Sequence, residues 1–242
     1  MPHRDTALSG QLQPGRYDFM RCIGLSYVHG QIICRTISVS GHLCDDPLEP
    51  CRLRCRNLYA DGEYRVSESV ANRAHFYSNS TFKGILYVVG KFTASENFTG
   101  SGMIGAGIMR LTGPCRFRGT TRGNRLIAKG RLQLDDVQNQ FVDITFSDDS
   151  HCRKITATTV TIRRLRRRFI RKMILAPYLD DHGFFSVEDS ISADYVDLEY
   201  VTANRVSGND VNIGPGCVIN EVFYRDHIYI DETAWVGKYQ PL

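Results

Sequence analysis

A five-residue unit, apolar–x–apolar or small–x–Gly, returns along most of this chain at a nearly constant interval. It reads Met20-Arg-Cys-Ile-Gly24, Ile37-Ser-Val-Ser-Gly41 and Leu58-Tyr-Ala-Asp-Gly62. Degenerate copies follow as Phe76-Tyr-Ser-Asn-Ser80 and Phe92-Thr-Ala-Ser-Glu96. Met109-Arg-Leu-Thr-Gly113, Leu126-Ile-Ala-Lys-Gly130 and Ile144-Thr-Phe-Ser-Asp148 complete the series. The units thus begin at Met20, Ile37, Leu58, Phe76, Phe92, Met109, Leu126 and Ile144. The one long interval, from Ile37 to Leu58, contains Asp45-Asp46-Pro47 and Glu49-Pro50, a loop insertion by composition.

This interval excludes most helical solenoids, which need roughly 33–47 residues per repeat. It fits one turn of a parallel β-helix, three short strands with tight corners. Runs such as Gln31-Ile-Ile-Cys34 and Gly84-Ile-Leu-Tyr-Val-Val89 alternate, so one set of side chains points inward and the other to water. Gly at the fifth position suits a corner that needs φ > 0. Stacked turns lie about 4.8 Å apart, so eight make a rod roughly 40 Å long. A β-sandwich, with turn signals every ~8–12 residues, is the competing architecture. It does not hold so constant a period.

The pattern changes after residue 150. Lys154–Ile162 is β-branched and reads as one or two strands. Residues 163–175 follow, with Leu165, Phe169, Ile170, Met173 and Ile174 spaced as one helix face. Pro177 and Asp180-Asp181-His182-Gly183 end that helix. Tyr195-Val-Asp-Leu198, Val211-Asn-Ile-Gly214 and Ile228-Tyr-Ile-Asp231 then return with the earlier period. The expected order is a flexible tail over 1–16, a first β-helical segment over 17–162, a basic helix and linker over 163–190, and further turns over 191–242. The tail after Gly237 reads as frayed.

Charge is unevenly placed. Residues 151–179 hold nine basic side chains and no acidic one, whereas 180–242 hold three basic and twelve acidic. A cationic segment and an acidic region imply an anionic partner or mutual neutralisation. No run approaches 18 consecutive apolar residues, so no spanning helix is expected. The first 20 residues are charged and lack an apolar run, so no secretory signal is expected. The eight cysteines are then thiols of a reducing cytosol.

The repeated turns resemble bactofilins, the polymer-forming cytoskeletal proteins of bacteria. Gly208-Asn-Asp-Val-Asn-Ile-Gly-Pro-Gly-Cys217 is similar to a segment of a longer bactofilin-like group in spore-forming Gram-positive bacteria. The likeness spans roughly residues 17–242 and is strongest over 202–217. It implies an all-β fold, a right-handed parallel β-helix with a short basic helical insertion. It further implies end-to-end self-assembly without nucleotide or other cofactor, a cytoplasmic scaffold on the inner membrane face, and partners that include a paralogous bactofilin. The length and the insertion depart from the common short bactofilins.

Physics gives the same expectation a mechanism. Each coil end exposes unpaired backbone groups and an open apolar core, which template another coil unless capped. Phe19, Met20 and Ile23 are the expected residues of one end, and Ile228, Ile230, Trp235 and Val236 of the other. The basic helix offers Arg163, Arg164, Arg166, Arg167, Arg168, Arg171 and Lys172 to lipid headgroups, with Phe169, Ile170 and Met173 in the interface. Each such cation is worth about 1 kcal/mol at an anionic leaflet. The alternative is that this stripe packs on the rod. Nucleic acid ranks below both, because no known binding module surrounds the segment and aromatic rings are scarce there.

The competing function is a β-helical enzyme or carbohydrate-binding module acting on a polysaccharide or sugar nucleotide. Its signals are thin. Ile213-Gly-Pro-Gly-Cys-Val218 looks like one turn of the acyltransferase hexapeptide repeat, but a period of six is not sustained. Asp135-Asp136 and Asp148-Asp149 are pairs that also suit solvated corners. Cys44, Cys51 and Cys55 lie near His42 without zinc-finger spacing, and buried cysteines also serve as small hydrophobes. No catalytic residue and no metal ligand set is assigned.

Overall fold

Alternation of side chains is the organising fact of the structure, a computed structural model that describes residues 5–45, 50–165 and 183–242. All regular structure among these residues is β-strand, wound as a parallel β-solenoid of about 12 turns in all. The chain divides into two compact units, residues 1–125 and 126–242.

The first unit contains β1 (Asp5–Leu12), β2 (Gly15–Val28), β3 (Gly30–Val39), β4 (His42–Asp45), β5 (Cys51–Ala60), β6 (Glu63–Phe76), β7 (Thr81–Ser95) and β8 (Phe98–Thr112). The unit boundary falls within β9 (Cys115–Gly130). Each strand pairs in parallel with the strand one turn later. Met20, Ile37, Leu58, Ala74, Phe92 and Met109 form one inward column, and Cys22, Val39, Ala60, Phe76, Ala94 and Leu111 the next. All twelve are buried. Each large inward side chain contributes about 1.5–3 kcal/mol by leaving water.

One unit of the repeat is out of register by two positions. Pairing places Ala74, not Phe76, between Leu58 and Phe92, so the first of those two turns is shorter and the second longer than the sequence spacing implies. A two-position slip preserves facing, which is why Phe76 is still buried. It joins a core cluster with Tyr64, Phe82, Phe92 and Phe98, with ring centroids 5.5–6.1 Å apart. The buried Tyr64 hydroxyl is satisfied by Ser69 Oγ at 2.6 Å.

Corners are set by backbone contact between turns. Gly84, Gly102 and Gly119 have φ of +133°, +111° and +123°. A Cβ on any of them would lie 2.0–2.1 Å from a carbonyl oxygen of the preceding turn. Asn79 and Asn97 occupy another corner at φ of 61° and 58°, and the Asn97 amide donates to Asn79 Oδ1 at 3.1 Å. Among the fifth-position glycines, Gly113 and Gly130 have positive φ as expected. Gly41 and Gly62 are instead required by close approach, to Gly24 O and Gly41 O.

The second unit contains β10 (Leu132–Phe146), β11 (Ser150–Thr156), β12 (Thr159–Arg164), β13 (Phe185–Ser192), β14 (Tyr195–Leu198), β15 (Val201–Ile213), β16 (Val218–Ile230) and β17 (Trp235–Pro241). The expected insertion is short-circuited: β11 pairs directly with β13, and β12 with β14. Residues 195–242 therefore continue the coil of 150–164. Arg163 and Arg164 lie in β12 and residues 185–190 in β13, so these parts of the expected helix and linker are strand. Leu165, Gly183 and Phe184 have no regular structure, and 166–182 lie outside the described residues.

Two further expectations are corrected. Residues 5–12 are a strand, paired along β2, and not part of a tail. Lys238–Pro241 are paired with Glu221–Tyr224 and not frayed. In the C-terminal repeat, Val211 pairs with Val196 rather than Tyr195, so that turn is one position shorter than the spacing implies. A one-position slip reverses facing, and Tyr195 accordingly points outward, 44% exposed.

Candidate functional site

The inward columns of the second unit lose their cover at its last described turn. Four inward columns run through this unit and reach it. Leu134, Cys152, Val187, Ala203 and Ile219 lead to Val236. Val142, Val160, Val196 and Val211 lead to Ile228. Ile144, Ile162, Leu198 and Ile213 lead to Ile230. Val137, Ile155, Ile191, Val206 and Val222 lead to Tyr239. Every earlier member of these columns is at most 3% exposed. At the last turn Val236, Ile228 and Ile230 are only half-buried, and Tyr239 is 58% exposed.

Three of the four residues expected at this end are thus in an uncovered inward position. Trp235 is not. It continues the outward column of Gln133, His151, Ser186, Thr202 and Val218, with its ring exposed beside Gly237. Tyr239 belongs to the end although no repeat unit marks it. The available signal is its pairing partner, the buried Val222, from which it stands one more beat of the same period.

The start of the first unit is not where Met20 suggests. Met20 is fully buried and pairs with Thr6 of β1, which adds strand pairing beyond the first repeat unit. Phe19 and Ile23 lie outside the core, 38% and 56% exposed, with Leu25 and Tyr27 further along the same strand. Nothing in the pattern of Asp5–Leu12 alternates cleanly enough to mark β1 in the sequence.

Of the ten residues expected to touch a membrane or another anion, two are described. Arg163 pairs with one carboxylate oxygen of the buried Asp197, and Asn212 donates to the other at 2.8 Å. The Arg164 guanidinium stacks 3.5 Å over the Tyr200 ring. Both arginines are therefore engaged on the coil itself. Arg166, Arg167, Arg168, Phe169, Ile170, Arg171, Lys172 and Met173 lie outside the described residues. No helix among the described residues is long and apolar enough to cross a membrane.

Cys44, before the loop insertion, continues the outward column of Tyr27 and Arg65 and is half-buried, whereas the two cysteines after the insertion point inward. Cys51 and Cys55 are buried, and burial pushes both thiols up to about 12. His42 is instead held by Glu63, 2.8 Å away, which together with Arg65 keeps the Glu63 carboxyl below its usual range. No group of His, Cys, Asp or Glu suited to a metal occurs among the described residues. The Gly214–Cys217 stretch is a single corner, where a Cβ on Gly214 would meet Leu198 O at 2.6 Å. No family model, curated protein or solved structure matches this chain.

Proposed function

We infer that the chain is a non-enzymatic cytoplasmic scaffold of bactofilin type that assembles end to end. The observation that carries the reading is the abrupt loss of cover at Ile228, Ile230, Val236 and Tyr239, in columns that are otherwise sealed. A further turn supplied by a second copy restores that cover. It also continues the parallel hydrogen-bonding of β17, as strand addition does elsewhere. A head-to-tail contact of this kind does not close on itself, so it builds a filament. Right-handed winding, the rule for about 98% of crossovers between parallel strands, gives every copy the same hand. No nucleotide enters this mechanism.

The test is negative-stain microscopy and sedimentation velocity of the purified chain without nucleotide. Wild type is expected to form filaments. Ile228→Glu with Val236→Glu places two carboxylates in the apolar contact and is expected to leave monomers. Ile23→Glu, on an outward position, is expected to leave filaments intact. A wild-type chain that stays monomeric at high concentration overturns the proposal.

A further inference from the structure

Winding collects cations in the first unit that the sequence scatters. Residues 1–125 hold 16 Lys and Arg against 9 Asp and Glu. Two adjoining grooves meet at Arg73. One, of about 510 Å³, is lined by Arg35, Arg56, Asn57, Asn72 and Arg73 together with Val89 and Gly90. The other, of about 350 Å³, presents Tyr59, Arg73, His75, Lys91 and Thr93. Neither is lined by Asp or Glu.

Register explains the collection. Asn57, Arg73 and Lys91 form one outward column. Arg35 and Arg56 sit one position before the paired Thr36 and Asn57, at the adjoining corner. Four cations therefore occupy four successive turns, with a rise of about 4.8 Å each. All four are exposed, and none of the four side chains has an ion-pair or hydrogen-bond partner among the described residues. Asp18, one turn before Arg35 and outside both linings, already has an interaction of its own.

Rings flank the cations. His75 stacks on Tyr77 with centroids 4.2 Å apart, and Tyr77 stacks on Tyr59 at 6.5 Å. Tyr59 and Tyr77 are 38% and 42% exposed. Such near-parallel rings are extended by another flat ring, which a nucleobase supplies and a saccharide does not. Stacking on a side chain requires an unpaired base, so the partner is a single strand. Arginine forks match phosphate oxygens, and three of the four cations are arginine. Sequence alone ranks nucleic acid low for want of rings beside the 163–172 segment; the coil unites rings and cations on a different face.

The geometry points to a single-stranded nucleic acid track on this face, with Arg35, Arg56, Arg73 and Lys91 on successive phosphates and a base extending the stack that Tyr77 forms with His75 and Tyr59. This site does not depend on filament formation. The test is fluorescence anisotropy of the full chain with labelled (dT)20 between 50 and 200 mM NaCl. Four phosphate contacts on a single strand give a log–log salt slope of about −2.8, so affinity falls roughly 50-fold over that range. Arg56→Ser with Arg73→Ser is expected to halve the slope, leaving a fall of about sevenfold. Tyr77→Ala is expected to weaken binding about fivefold or more with the slope unchanged. Arg118→Ser, in a separate groove, is expected to change neither. All these side chains are solvent-accessible, and far-UV circular dichroism confirms that each variant is folded. Three results overturn the proposal: no binding at 50 mM NaCl, an unaltered slope in the double variant, or displacement of (dT)20 by polygalacturonate with no effect of Tyr77→Ala. The last would assign the face to an acidic polysaccharide.

Discussion

Gly102→Ala tests the corner geometry on which the stacking of turns depends. Gly102 has φ +111°, where an L side chain costs about 1–2 kcal/mol. Its new Cβ would lie 2.1 Å from Gly84 O, the partner one turn earlier. A tolerable carbon–oxygen contact is about 3.3 Å, so the backbone must retreat by about 1.2 Å. That retreat breaks ladder hydrogen bonds at the corner, and two of them account for about 2 kcal/mol. The sum is about 3–4 kcal/mol. For a chain of this length each kcal/mol moves the melting temperature by about 2–4 °C, so the loss is roughly 6–16 °C. Gly105→Ala is the internal control. Gly105 has no positive φ, and its Cβ would meet only the Tyr87 ring, at 3.1 Å. That ring is 44% exposed and free to swing. The lower entropy of the unfolded Ala chain offsets the small shift, so the expected change is within about 0.5 kcal/mol of zero. Differential scanning fluorimetry of both variants decides. A Gly102→Ala protein that melts within about 2 °C of wild type, or above Gly105→Ala, refutes the reasoning.

Three other outcomes follow from the same structure. Seven of the eight cysteines are buried and Cys44 is half-buried, so Ellman's reagent should titrate at most one thiol in the native chain and all eight in guanidinium; rapid reaction of several native thiols contradicts the inward columns. Burial raises the thiols of Cys22, Cys115 and Cys217 to about 11, while unfolded thiols ionise near about pH 8.5. The fold thus holds protons that the unfolded chain releases. Stability should be full below about pH 8.5 and fall by up to about 1.4 kcal/mol per pH unit per thiol above it, and a melting temperature unchanged between about pH 7.5 and 10 would contradict this. The Glu63 carboxyl is held low by the His42 hydrogen bond, so its contribution is present above its unfolded value and lost as pH falls through the depressed one. Glu63→Gln should flatten the acid limb of the melting-temperature profile, and an identical limb in both proteins argues against the contact.

The period is legible because inward positions repeat in type, and the solenoid follows from it. Exact register is not. Shifting Phe76 by two positions keeps the period-two pattern intact, so composition cannot distinguish it from Ala74; only the pairing can. The turn before Val211 is shorter than its neighbours, so a constant period assigns Tyr195 to the wrong face. Arg163 and Arg164 follow the strand at 159–162 without a break, yet their charge and the apolar spacing after them read as helix. The partners that hold them in the strand, Asp197 and Tyr200, come only after the whole 166–182 stretch. The cationic face is invisible for a related reason: Arg35, Arg56, Arg73 and Lys91 each belong to a different turn, and only winding makes them neighbours.

Burial in a coil is conferred by the neighbouring turn, and this separates two kinds of information. Local sequence states which way a side chain points, because facing is fixed by alternation along its own strand. Whether that side chain is covered depends on a strand one full turn away along the chain. Ile213 and Ile230 make the distinction concrete. They are the same residue type, directly paired in the same inward column. Ile213 is fully buried because Ile230 lies over it, whereas Ile230 is half-exposed with no such neighbour described. Met20 shows the converse, an inward residue at the first repeat unit that is followed outward by a strand no repeat announces. A coil end is therefore a property of stacking order rather than of any motif. Substitutions at its inward positions should act on association far more than on the fold of the turns beneath.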